Sequence, residues 1–181
     1  MAVIPLRRGL LTLWVWAGCG PSRDDTAAAP VQVVELVHAD LWTAAADTED
    51  PFPAHRSAAV ECGAAGWYEE TGGLEVDTGA CPYFLGQLAL PRDIRSGDLL
   101  TVDAWHSSLA SEAPAEGHIA LSVDGRVVWE HTEQIPGDAN AWSDSFTAKF
   151  DAPEGALVVL HLHNHGYNTW NFHSFRLETS R

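Results

Sequence analysis

From residue 31 onward the chain consists of short runs rich in Val, Leu, Trp, Phe and Thr, separated by Gly, Pro, Asp and Asn. No apolar stripe with helical spacing extends over a convincing length. The runs recur every 8–15 residues or so, which is typical of a sandwich or jelly roll. The sequence therefore predicts an all-β fold, a β-sandwich of jelly-roll type. The predicted strands are 32–37, 40–45, 57–63, 66–70, 73–77, 84–90, 99–106, 117–123, 126–132, 144–150, 156–164 and 169–178.

Composition and charge limit what this fold does. Hydrophobic residues make up 46% of the 181 positions and charged residues 19%, with eight Trp, so the chain can bury a real core. Residues 31–181 are predicted to form one domain. The 25 acidic residues outnumber the 10 basic ones, giving a net charge of −15. An acidic surface repels phosphates, which argues against nucleic acid and bare anionic membrane as partners.

The first 18 residues are predicted to be an export signal. Arg7 and Arg8 precede the apolar run 9–17, which is too short to span a bilayer. The run ends in Trp16-Ala17-Gly18-Cys19, which resembles the lipobox of bacterial lipoproteins, with Trp in place of the usual Leu. The resemblance implies cleavage after residue 18, lipidation of Cys19 and attachment to a membrane only through that lipid.

An ordinary signal peptide cut near Ala27–Ala29 is the alternative to lipidation. Both readings place the domain outside the cytoplasm, in the cell envelope or secreted. Residues 19–30 are small, polar and bounded by Pro, so they are predicted to be a flexible tether.

The chain has three Cys. Setting aside Cys19 leaves Cys62 and Cys81, an even pair in a compartment that permits disulfides. A disulfide closing this loop of about 20 residues would stabilise the fold by roughly 3 kcal/mol. A shared metal site or two buried thiols is the alternative.

Asp124-Gly125 predicts a two-residue type I′ hairpin, because these residue types tolerate positive φ. If that register continues, His118 lies opposite His131 on the same sheet face. A bulged turn would break this pairing.

The segment 158–166 alternates by twos and places His161, His163 and His165 on one face of a strand. Imidazole is a common ligand of zinc and copper, so this stripe predicts a metal site that His118 and His131 would complete. The alternative is that the imidazoles form structural hydrogen bonds and position the following loop. Residues 150–166 slightly resemble the closing part of a cupredoxin, but the Cys ligand of that family is missing.

Segments 97–105, 121–129 and 168–178 together resemble galactose-binding-like jelly rolls and related carbohydrate-binding modules. The resemblance lies in the pattern and spacing of the predicted strands over about 120 residues. It implies a glycan or another small ligand as partner and transfers no binding residue.

Sugar recognition needs an aromatic side chain that stacks on the apolar face of the sugar ring, and planar polar groups that hydrogen-bond to its hydroxyls. Tyr167, Asn168 and Trp170 supply both within one predicted turn, and Trp105 with His106 could add to them. The alternative is that the Trp residues belong to the core, as most Trp do.

Signals for catalysis are weak, and no catalytic residue is assigned. Nucleophile motifs and phosphate-binding loops are missing from the sequence, and carboxylate pairs are expected by chance in an acidic chain. The acidic run 47–51 is interpreted as a solvated loop, with calcium binding as the alternative. The sequence thus predicts an exported carbohydrate-binding module without a required cofactor. The second hypothesis is a Zn- or Cu-binding protein.

Overall fold

A computed structural model describes residues 31–56, 62–63 and 65–179. Within these ranges the chain forms eleven strands and three short 3₁₀ helices. The strands are β1 Gln32–Glu35, β2 Thr43–Ala44, β3 Trp67–Glu70, β4 Gly73–Asp77, β5 Tyr83–Ala89, β6 Leu99–His106, β7 Ala115–Val123, β8 Arg126–Ile135, β9 Asn140–Thr147, β10 Leu157–Asn164 and β11 Thr169–Thr179. The 3₁₀ helices are Ala39–Leu41, Asp47–Glu49 and Pro53–His55.

The export signal, Cys19, the tether and most of the predicted strand 57–63 lie outside the described residues. Across the part of the chain that is described, no helix has the length and apolarity needed to cross a bilayer.

The strands form two antiparallel sheets, which confirms the predicted all-β sandwich. The first sheet has the order β3-β4-β11-β6-β9, and β1 pairs with the far end of β11. The second sheet has the order β2-β5-β10-β7-β8. The core lies between their facing sides, where the largest fully buried side chains include Trp170, Phe84 and Phe175. Burial of this apolar area is the main favourable contribution to folding.

The strand β11 carries a β-bulge between Phe172 and Ser174. The bulge resets the alternation, so Phe172 and Phe175 both point into the core although they differ by three positions. Next to the bulge, Asp103 of β6 accepts a hydrogen bond from Ser174 Oγ at 2.6 Å and pairs with Arg176 Nη2 at 2.6 Å. These contacts hold β11 against β6.

We expect Asp103→Asn to lower the free energy of unfolding by about 1–2 kcal/mol at pH 7. Burial raises the pKa of Asp103, but hydrogen bonds from Ser143 and Ser174 and the charge of Arg176 outweigh it and hold the pKa below its usual value. The unfolded chain therefore binds the proton more readily, and this stabilisation is present above about pH 4 and lost as pH falls further.

Urea unfolding of the unaltered protein and of Asp103→Asn, at pH 7 and at pH 3, measures the difference between their free energies of unfolding. This difference should be smaller at pH 3 than at pH 7. As a control, replacing the exposed Glu154 by Gln should change the free energy of unfolding by less than about 0.5 kcal/mol. An equal difference at both pH values would contradict the assignment.

The observed strand positions agree closely with the predicted ones in several places. The segments 73–77 and 99–106 match in full. The prediction 144–150 was shifted: β9 covers Asn140–Thr147, because Asn140 already pairs with His106 at the end of β6.

The hairpin at Asp124-Gly125 is confirmed, with φ values of 51° and 71°. Val123 pairs with Arg126 as predicted, but the register shifts between Leu121 and Ser122. Beyond this bulge His118 pairs with Thr132, and Ile119 pairs with His131. The predicted pairing of His118 with His131 is therefore wrong, because the extra residue in β8 turns His131 to the opposite face.

The predicted disulfide between Cys62 and Cys81 is confirmed. Cys81 is fully buried just before β5, whereas Cys62 is exposed. The bridge ties the chain that precedes β3 to the start of the second sheet.

Candidate functional site

The outer side of the second sheet carries the histidine stripe of β10. Leu160 and Leu162 point into the core, and His161 and His163 point outward, as the alternation predicts. His163 lies directly opposite His118 on β7 and opposite Tyr83 on β5. The pleat of three neighbouring strands thus gathers polar and aromatic side chains on one outer patch.

A loop covers this patch. We call residues 45–56 the covering segment; it begins where Ala45 N donates to Leu85 O at 2.9 Å and contains two of the 3₁₀ helices. The ring of Phe52 lies 4.6 Å from that of His118 and 5.1 Å from that of His161, measured between centroids. His161 is consequently 0% exposed although it lies on an outer sheet face.

The covering segment also supplies a third imidazole. The ring of His55 lies 5.0 Å from that of His118 and 5.5 Å from that of His161. One ring nitrogen of each residue lies within 4.8 Å of those of the other two. We call His55, His118 and His161 the histidine cluster.

Strand alternation does not predict His55, because this residue lies in a short 3₁₀ helix of the covering segment and not on a strand. The available signal was Phe52-Pro53, an apolar pair beside the acidic run that had been interpreted as solvated. That interpretation fails for Asp50, whose carboxylate is only 1% exposed.

Asp50 is buried with a full set of partners. It accepts hydrogen bonds from the hydroxyl of Tyr83, from Phe52 N at 2.9 Å and from His161 Nδ1 at 3.2 Å. Arg56 Nε lies 3.9 Å from it. Asp47 of the same segment also pairs with Arg56.

A second carboxylate supports the cluster from β8. Glu130 Oε2 lies 3.2 Å from His118 Nε2. Burial lowers the pKa of His118 against the opposing effect of Glu130, and burial lowers the pKa of His161 against that of Asp50. Burial, with repulsion from neighbouring imidazoles, also lowers the pKa of His163 to about 4. His118, His161 and His163 are therefore neutral at pH 7, and one nitrogen of each ring carries a free lone pair.

Beside the histidine cluster lies an open groove of about 940 Å³. Its walls come from the covering segment, the loop before β7, β7, β10 and the turn that follows β10, and they include His55 and His118 of the histidine cluster. The other side chains used below are Glu112, Glu116, His163, His165 and Tyr167. Tyr167 is 74% exposed, the highest exposure among the large hydrophobic side chains that the structure describes. The groove therefore combines one free aromatic ring with imidazoles and carboxylates.

Two buried amides hold the turn that carries Tyr167. Asn164 Nδ2 donates to Thr78 Oγ1 at 2.9 Å and to Gly166 O at 3.0 Å. Asn168 Oδ1 accepts from Ala110 N at 2.6 Å. This network fixes the turn between β10 and β11, so the position of the Tyr167 backbone is set before any ligand arrives.

The structure does not bring the predicted sugar-binding residues together. Trp170 is 1% exposed, His106 1% and Asn168 4%, so these three side chains offer no surface to a ligand and the prediction is wrong for them. Trp105 is 39% exposed but lies on the first sheet, away from the groove. Of the predicted set, Tyr167 lines the groove.

The predicted metal ligands are divided as well. His161 and His118 lie in the histidine cluster, and His118 also lines the groove together with His163 and His165. His131 lies elsewhere: its Nε2 is 2.7 Å from Asp144 Oδ2 and its ring stacks on Trp142 at 4.7 Å. The bulge in β8 is the reason for this separation.

No protein-family model matches the chain, and no curated protein matches it. Similar solved structures include a family 4 carbohydrate-binding module, with TM-score 0.39 and 10% identity over 64% of this chain and 76% of that one. Another is the C-terminal family 6 module of a marine laminarinase from Zobellia galactanivorans, with TM-score 0.38 and 11% identity over 83% and 100%. A third is a family 36 module in complex with calcium and xylotriose, with TM-score 0.39 and 10% identity over 81% and 100%. Similarities this distant leave the function of this chain open.

Proposed function

We propose that this protein is an exported, lipid-anchored domain that binds carbohydrate in the groove beside Tyr167, without catalysis. The observation that carries the proposal is the exposed Tyr167 ring, which stands at the wall of an open groove lined by planar polar side chains. The ligand is an oligosaccharide, since the groove is open and its volume of about 940 Å³ is larger than one sugar ring needs.

The groove offers the two kinds of contact that a sugar requires. The apolar face of a pyranose ring stacks on an aromatic side chain, a contact that Tyr167 can provide. Hydroxyl groups need donors and acceptors in fixed directions, which the imidazoles of His163 and His165 and the carboxylates of Glu112 and Glu116 can supply. A neutral sugar also avoids the repulsion that an anionic ligand would meet on this acidic protein.

Rigidity of the turn favours binding further. The hydrogen bonds of Asn164 and Asn168 fix the backbone on both sides of Tyr167. Ligand binding therefore causes a smaller loss of conformational entropy in this turn than it would in a mobile loop.

Export and anchoring are part of the same proposal. The disulfide between Cys62 and Cys81 is of the kind that forms in oxidising compartments, which supports a location outside the cytoplasm. Lipidation of Cys19 rests on the lipobox-like sequence and would tether the sandwich to a membrane through residues 19–30.

We expect Tyr167→Ala to weaken glycan binding by at least about 10-fold, because it removes the stacking surface. Tyr167→Phe should retain most of the affinity, since stacking needs the ring and not the hydroxyl. A glycan array identifies the ligand, and calorimetric titration of the best oligosaccharide measures the effect.

Tyr68→Ala is the matched control: Tyr68 is 43% exposed and lies on the first sheet. It should bind as the unaltered protein does. Equal losses in Tyr68→Ala and Tyr167→Ala, or no binding by the unaltered protein to any glycan on the array, would refute the proposal.

A further inference from the structure

We infer that the histidine cluster is a binding site for one transition-metal ion, Zn²⁺ or Cu²⁺, held by one ring nitrogen each of His55, His118 and His161. His55 and His118 also line the glycan groove, so the two sites adjoin. The metal site does not depend on the function proposed for the groove, because its ligands are imidazole nitrogens and not the ring of Tyr167. Its members come from the covering segment, β7 and β10.

The hydrogen-bond partners determine where the lone pairs point. A carboxylate can only accept, so His161 Nδ1 donates to Asp50 and His118 Nε2 donates to Glu130. In neutral imidazoles this leaves the lone pairs on His161 Nε2 and His118 Nδ1. A carboxylate behind each ligating histidine is the usual arrangement in protein metal sites, where it fixes the tautomer and raises the basicity of the ring.

The nitrogens that carry these lone pairs have no partner in the described part of the protein. His161 Nε2, His118 Nδ1 and His55 Nδ1 are all buried without a hydrogen bond. His161 is 0% exposed and His118 6%. A buried polar atom without a partner costs roughly 1–3 kcal/mol, and three of them in one cluster need a common explanation. A metal ion bound between them satisfies all three.

The dimensions suit zinc or copper after a small adjustment. Tetrahedral zinc with Zn–N bonds of about 2.0–2.1 Å needs ligand nitrogens about 3.3 Å apart. One ring nitrogen from each of the three histidines lies within 4.8 Å of the other two, so ligand nitrogens at that separation must approach by up to about 1.5 Å. His118 and His161 are fixed on adjacent strands, whereas His55 belongs to a loop that can move inward.

The donor set selects the metal. Three neutral imidazoles suit zinc and copper, whereas calcium and magnesium require oxygen ligands. Phe52 packs against His118 and His161 and limits solvent access to the cluster from that side. Three protein ligands leave a fourth position for water.

The test is a calorimetric titration of the full chain, made without a histidine tag and stripped with a chelator, with Zn²⁺ alone at pH 7.5. We expect one equivalent to bind at about micromolar affinity or tighter. His118→Ala and His55→Ala should each weaken binding at least about 100-fold. Glu130→Gln should weaken it about 10-fold, because the carboxylate that holds His118 Nε2 is lost. His55 is only partly buried and lies in a loop, so its variant separates loss of a ligand from loss of folding; circular dichroism checks the fold.

His173→Ala is the control, because this exposed histidine lies on the first sheet. It should bind zinc as the unaltered protein does. Stoichiometric binding of Cu²⁺ with the same dependence on His55 and His118 would equally support the site. The inference is overturned if the unaltered protein binds neither ion stoichiometrically, or if His55→Ala and His118→Ala bind as tightly as His173→Ala.

Discussion

Trp170→Ala should lower the free energy of unfolding by about 3–5 kcal/mol, the range expected when a buried Trp is truncated. The side chain is 1% exposed, and its ring lies 4.6 Å from that of His106 and 6.0 Å from that of Trp142. Its Nε1 also donates to Asn164 Oδ1 at 3.3 Å. The substitution therefore leaves a cavity and weakens the network that holds the turn at Tyr167. Urea unfolding followed by far-ultraviolet circular dichroism measures the loss.

Trp105→Ala is the matched control for this experiment. Trp105 is 39% exposed on the neighbouring strand, and its loss should cost less than about 1 kcal/mol. A cost below 1 kcal/mol for Trp170→Ala as well would contradict the packing described between the sheets.

The second large effect concerns the disulfide. Replacing both Cys62 and Cys81 by Ala should lower the free energy of unfolding by about 3 kcal/mol, because the bridge closes a loop with a sequence separation of 19. Thermal unfolding with and without a reducing agent reports this change. For a domain of this size the melting temperature should fall by about 6–12 °C.

The unaltered protein under reducing conditions should behave like the double variant, and the double variant should not respond to the reductant. If the reductant leaves the melting temperature of the unaltered protein unchanged while both Cys are shown to be reduced, the bridge contributes nothing to stability.

Most strands were predictable because the side of each sheet that faces the core is apolar, which gives short apolar runs in the sequence. Apolar runs bounded by turn-forming residues located β4 and β6 in full, and the residue types of Asp124-Gly125 located the hairpin. The two bulges were not predictable, since each inserts one residue without a distinctive sequence. One of them sends His131 to the inner face and the other brings Phe175 into the core.

The site was predicted only in part, for a related reason. Alternation correctly placed His161 and His163 on one face, but it gives no information about a loop that folds over that face. His55 and Asp50 reach the histidine cluster from such a loop, and the acidic character of the run 47–50 suggested solvent exposure instead. Trp170 and His106 were predicted to bind a ligand, but both side chains are buried, because an aromatic side chain at the end of a strand can pack into the core as readily as it can face solvent.

Glycan recognition at the groove is tested most directly by nuclear magnetic resonance. The backbone amide signals of the full chain are followed while the best oligosaccharide from the array is added. We expect the largest shifts in the loop 111–116 and the turn 163–167, with saturation that follows one binding constant. Shifts confined to the outer face of the first sheet, around Tyr68 and Trp105, would contradict the proposed function, as would the absence of any shift.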